Sequence, residues 1–123
     1  MFNVDIEKLA KENTNFRKVI YTGKNSQLVL MSIPPGGEIG NEVHENIDQV
    51  LVFVDGNGEA IINNTEKQKV EEDSVVFIPA GTWHNIVSTG DEDLKLFTIY
   101  SPSAHKEGTV HKTKEDADRQ ESY

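Results

Sequence analysis

The chain has 123 residues, 36% apolar and 27% charged, with no Cys, so at ~150 residues per domain it holds one domain with one core. Its net charge of -9, from 21 acidic against 12 basic side chains, opposes phosphate backbones and anionic lipid, which makes nucleic acid and membrane surfaces poor partners. The absence of cysteine excludes thiol catalysis, disulfides and sulfur-rich metal sites, and no run of the sequence reads as a membrane span or a signal peptide; a cytoplasmic setting is expected. A chain of this length buries roughly two-thirds of its unfolded surface, so it needs no metal merely to fold.

The predicted elements begin with a helical segment over 1–15, where Ile6, Leu9 and Ala10 recur at helical spacing behind Asp5, a good cap. From Phe16 the pattern changes to short apolar or alternating runs: FRKVIYT, SQLVLMSI, DQVLVFV, GEAIIN, QKVEE, SVVFI, HNIVST and LKLFTIY. Each is rich in Val, Ile and Phe and is bounded by turn residues. Asp55 to Gly58, Asn63-Asn64 and Gly90 to Asp93 supply residues that tolerate positive φ. Strands at this spacing without intervening helices indicate an all-β antiparallel sandwich or barrel over 16–101. Residues 102–123 carry almost no large apolar side chain and are expected to form a polar surface tail. Within it Thr113 to Gln120 suits one or two helical turns, and the last residues are expected to fray.

Four residues stand out by type and position: Glu42, His44, Gln49 and His84. Singly, each has a bland reading, since a strand Glu usually faces solvent, a lone His is as often a satisfied core or surface group, and Gln49 would bond backbone at a strand start. The spacing of Glu42-Val43-His44 raises the odds, because a strand's period of two aims residues 42 and 44 at one face. His84 follows the tight turn Pro79-Ala80-Gly81-Thr82-Trp83, which delivers it to a new strand with Ile86 and Ser88 on its face.

Two stretches then carry a family resemblance. Gly36-x5-Glu42-x-His44-x4-Gln49-x6-Gly56 resembles the first cupin motif, G-x5-H-x-H-x(3,4)-E-x6-G, with complete agreement of spacing. Asp73-x5-Pro79-x-Gly81-x2-His84-x3-Ser88 resembles the second, G-x5-P-x-G-x2-H-x3-N. The resemblance covers about Phe16 to Tyr100 and implies a jelly-roll, or double-stranded β-helix, barrel like the stand-alone single-domain cupins often labelled mannose-6-phosphate isomerase-like. It also implies a metal site and a homodimer paired through an outer sheet face.

The departures from the motif fall on the ligands. Glu42 takes the first histidine position, His44 keeps the second, Gln49 replaces the glutamate, and His84 is retained. One carboxylate is therefore kept, at a different position, and every ligand position still carries a donor atom. Some cupins acting on sugar acids resemble this chain in having Gln at the Glu position. Two imidazoles and one carboxylate are the composition of a facial triad with open positions, and mixed nitrogen and oxygen donors suit Zn, Fe, Mn, Ni or Co. Such a centre supports Lewis-acid polarisation of a carbonyl or activation of oxygen.

The remaining candidates are weaker. Asn46 and Asp48 lie beside the ligands in a loop, and Glu45 is near as a base but points to another face than Glu42. His105 and His111 belong to the polar tail, either solvated or folded back over the barrel mouth. Tyr21 and Tyr100 suit core packing or a pocket wall. Arg17 and Arg119 are the only arginines, which counts against phosphosugar recognition. The expected function is metal-dependent isomerisation, elimination or oxygenation of a small oxygen-rich molecule such as a sugar, keto acid or hydroxy acid. The alternatives are a non-catalytic small-molecule or metal-binding module and, third, an empty barrel serving as an oligomeric scaffold.

Overall fold

The computed structural model describes residues 1–121. In chain order the elements are α1 (Ile6–Glu12), β1 (Arg17–Thr22), β2 (Gln27–Ile33), β3 (Asp48–Asp55), β4 (Asn57–Ile62), β5 (Glu66–Glu71), β6 (Val75–Ile78), β7 (His84–Ser88), β8 (Leu94–Ser101), β9 (Val110–His111) and α2 (Lys114–Glu121). A six-stranded sheet in the order β6-β3-β8-β2-β1-β9 faces a three-stranded sheet in the order β5-β4-β7. All pairings are antiparallel. This is the jelly-roll barrel that the alternating runs require.

Alternation along the strands decides what faces inward. In β8, Leu94, Leu96, Thr98 and Tyr100 are buried while Lys95, Phe97 and Ile99 are only partly so. Their inward neighbours Met31, Ile33, Leu51 and Phe53 meet Ala60, Val70 and Ile86 of the smaller sheet in one apolar core. Burial of each large side chain contributes roughly 1.5–3 kcal/mol, enough in sum for the fold to stand without a metal.

The nearly continuous apolar runs in β2 and β3 have a second cause. Asp5 caps α1 by accepting from the Lys8 amide at 3.1 Å. The helix lays Ala10, with Ile6, on the outer face of the large sheet against Leu30, Val54, Ile20 and Phe97. Leu9 instead lies at the surface, because the sheet receives only the narrow stripe carrying Ile6 and Ala10. At the β4–β5 hairpin Asn63 and Asn64 take φ of 51° and 65°, and Thr65 N donates to Ile62 O at 3.2 Å, the left-handed turn their amide side chains tolerate. Where the chain crosses between sheets after β3, Gly56 has φ of 89°, and a Cβ there would lie 2.5 Å from Asp93 O. Only glycine satisfies both demands.

The segment after β8 is more ordered than its composition implies. β9 pairs with β1, Ala104 and Ala117 pack on the core, and His111 is wholly buried. Gln27, itself buried, grips the segment: its Oε1 accepts from the Ala104 and His105 amides at 3.1 and 3.0 Å, and its Nε2 donates to His105 O at 2.7 Å. Small residues, an imidazole and backbone hydrogen bonds anchor this segment, so its low apolar content misleads. α2 provides the expected helical turns, and the expected fraying of residues 122 and 123 lies outside the described residues.

Candidate metal centre

Two backbone ties build the site before any donor is considered. Glu42 and His84 form an isolated antiparallel bridge in which each amide donates to the other's carbonyl at 2.9 Å. The bridge sets their side chains next to each other on the inner face. The β6–β7 turn is then pinned to the preceding loop, because Gly81 N donates to His44 O at 2.8 Å and Ala80 N donates to Asp48 Oδ1 at 2.9 Å. Gly81 turns at φ of 83°, the left-handed position that the Pro79–Thr82 turn demands.

The result is a cluster of three donors. Glu42, His44 and His84 each present one ligand atom, all within 4.8 Å of one another. Glu42 Oε1 lies 3.4 Å from His44 Nε2 and 3.6 Å from His84 Nε2, and among the described residues neither imidazole Nε2 makes a well-formed hydrogen bond. Residues 42–44 are not a continuous strand, yet the alternation expected of one still brings both side chains to the interior.

His84 Nδ1 sits 2.9 Å from the Thr82 carbonyl, which can only accept, so Nδ1 carries the proton. In the neutral ring this leaves the Nε2 lone pair aimed at Glu42 and His44, the tautomer a metal requires. Burial pushes the Glu42 carboxyl up, but the facing imidazoles of His44 and His84, as donors and as charges, outweigh it and hold it down at about 2. For His84, burial works against the imidazolium, yet the Glu42 carboxylate and the Thr82 carbonyl prevail and raise it above 6.5. The Glu42 carboxylate thus favours positive charge at this cluster, from a proton on His84 or from a cation.

Gln49 is fully buried and donates from Nε2 to Thr98 Oγ1 at 3.0 Å, and Thr98 Oγ1 donates on to Val50 O at 2.9 Å. The hydroxyl's proton serves the Val50 carbonyl, which fixes the amide orientation and leaves Gln49 Oε1 buried without a hydrogen-bond donor among the described residues. The two imidazole nitrogens and the depressed carboxylate that converge here are a donor set that fits a divalent transition metal.

Of the weaker candidates, Glu45 and Asn46 are exposed and outside the cluster, while Asp48 holds the turn backbone. Tyr21 is exposed and stacks on Phe2 at 4.7 Å rather than packing in the core, since the β1 irregularity between Val19 and Tyr21 breaks the alternation. Tyr100 is buried, with its ring 5.7 Å from His44 and 5.2 Å from His105, both edge-on. His105 thus folds back beside the site, whereas His111 sits under β1 against Arg17, 3.2 Å from its guanidinium. Thr98, Thr82 and Gln27 escaped the sequence reading because their roles are hydrogen bonds from ordinary strand and turn positions.

Comparison with known proteins agrees with this architecture. Residues 29–100 match the cupin domain family model. The protein YrkC of Bacillus subtilis is 43% identical over 121 residues, which cover 94% of this chain and 65% of YrkC. The chain thus spans just under two thirds of that relative's length. The crystal structure of BH2720 from Bacillus halodurans superposes with a TM-score of 0.94 at 42% identity, covering 96% of this chain and 93% of the other. KdgF from Halomonas sp. shares the fold, with a TM-score of 0.67 at 23% identity over 72% of this chain and 80% of KdgF.

Proposed function

This chain belongs to the cupin family, and we propose that Glu42, His44 and His84 hold a divalent transition metal (Zn, Fe, Mn, Ni or Co), with Gln49 as a weaker fourth donor. The carrying observation is the convergence of Glu42 Oε1 and two unpartnered imidazole Nε2 atoms, with the His84 tautomer set by Thr82. A metal bound there supplies Lewis-acid polarisation of a carbonyl or hydroxyl oxygen. The chain's own residues do the rest: Glu42 provides one negative charge, the Glu42–His84 bridge fixes the donor spacing, and the Tyr100 ring walls one side of His44 against water.

The ligand class that suits such a centre is a small oxygen-rich molecule, a sugar, keto acid or hydroxy acid, undergoing isomerisation, elimination or oxygenation. A binding module without turnover is the second reading, favoured by the exposure of Glu45, which leaves Glu42 as the one carboxylate in the cluster among the described residues. The test is elemental analysis of tag-free protein, then aerobic and anaerobic turnover of a substrate panel. Metal at about one per chain with turnover supports the enzyme; metal without turnover supports the module; no metal refutes both.

The same reading includes a cytoplasmic homodimer. Val75 and Phe77 are 63% and 60% exposed on edge strand β6, and their cross-strand neighbours Val52 and Val50 continue an apolar strip toward Ile99. Light scattering of Phe77→Lys against the parent chain tests this face: a dimer that becomes monomeric supports it, and a parent monomer refutes it.

A further inference from the structure

A groove of about 460 Å³ opens between the free edges of the two sheets, β5 on one side and β6 on the other. Ala60, Ile62, Val70 and Ile78 form an apolar patch of its lining, while Glu66, Gln68, Lys69, Ser74 and Thr82 make the rest of the lining polar. The inner wall abuts the proposed centre at two points. Ile62 is the cross-strand partner of His84, and Ile78 is the cross-strand partner of Gln49. Cross-strand partners share a sheet face with Cβ atoms roughly 5 Å apart. Thr82 also lines the groove, and its carbonyl accepts from His84 Nδ1.

Resting on the metal reading above, we infer that the ligand has two parts, an oxygen-bearing head for the metal and an apolar alkyl or aryl tail that lies in this groove against Ile62 and Ile78. The volume falls within the ~300–1,000 Å³ of small-molecule pockets. A sugar with hydroxyls along its whole length would present some of them to Ile62 and Ile78, whose side chains offer no hydrogen-bond partner. Within the oxygen-rich class, the groove thus selects a keto or hydroxy acid with an apolar side chain.

The test uses the full chain loaded with Zn²⁺ and a series of hydroxamic acids, from acetohydroxamic to octanohydroxamic acid, followed by calorimetry. Each methylene entering the groove should tighten binding about fourfold, the equivalent of ~0.8 kcal/mol, until the groove is filled. Ile62→Trp should flatten this dependence on chain length. Gln68→Trp, at an exposed position lining the groove, serves the same purpose if the inner substitution fails to fold. Acetohydroxamate that binds with no gain from longer chains, or a gain that both variants leave intact, overturns the groove inference alone. Failure of the metal to load, or of acetohydroxamate to bind the loaded chain, overturns the metal reading and the groove's role with it.

Discussion

Replacing Glu42 by Gln in the chelator-treated chain removes the charge of the cluster while keeping its shape, and the effect has a predictable pH profile. The Glu42 carboxyl lies at about 2 in the fold against an ordinary 4.5. A depressed folded value contributes stability that is present above the unfolded pKa and lost as pH falls through the folded one. At 1.36 kcal/mol per unit, wild type should gain about 3 kcal/mol over the variant between pH 1 and pH 5. For a domain of this size, that is on the order of 10 °C in melting temperature. His84 sets the other limb, because its folded value is raised above 6.5, so its share is present below that pH and is lost as pH rises through the folded value. The wild-type minus Glu42→Gln difference should therefore be greatest between about pH 4.5 and 6.5 and shrink on both sides. Thermal melts by circular dichroism across pH 2 to 9 measure it. A difference that is flat with pH, or larger at pH 8 than at pH 5, refutes the coupling of Glu42 to His84.

Metal loading should show the opposite limb. Because His84 keeps its proton past 6.5 without metal, an ion must displace that proton, so the melting gap between metal-loaded and chelated chain should grow from pH 6 to pH 8. His84→Ala should remove most bound metal while far-UV circular dichroism stays unchanged, since apolar burial holds the barrel; collapse of the fold would make the ion structural. Gln49→Glu should keep or tighten metal binding by placing a charged oxygen where the unpartnered Oε1 now lies, measured by competition with a coloured chelator; loss of metal would put position 49 outside the ligand set.

Much of the fold was legible because its determinants are local. The alternation in β8, the tolerance of Asn63 and Asn64 for positive φ, and the Asp5 cap each act within a few residues of themselves. What a one-dimensional pattern could not show is contact between distant segments held by few atoms. Gln27 reads as an ordinary polar residue at a strand start, yet its amide alone receives two backbone donors from residues 104 and 105. His111 reads as a tail residue, solvated or folded over the barrel mouth, yet it lies in β9 paired with Arg17 of β1.

The candidate site divides along the same line. The motif spacing named all three clustered donors, and it did so despite the swapped chemistry, because spacing encodes the backbone path and the path decides where side chains converge. The Glu42–His84 bridge makes this concrete: two reciprocal hydrogen bonds set the pair whatever the side chain at 42 carries. Identity at each position then sets the charge and the proton inventory. With carboxylate at 42 and amide at 49, the negative charge stands against both imidazoles, which is why Glu42 is held low and His84 high. A carboxylate at 49 and an imidazole at 42 would move that charge beside the Thr98 hydroxyl, whose proton is already committed to the Val50 carbonyl. With Glu42 in the first histidine position and an amide at 49, the one negative charge stays in the cluster beside the two histidines.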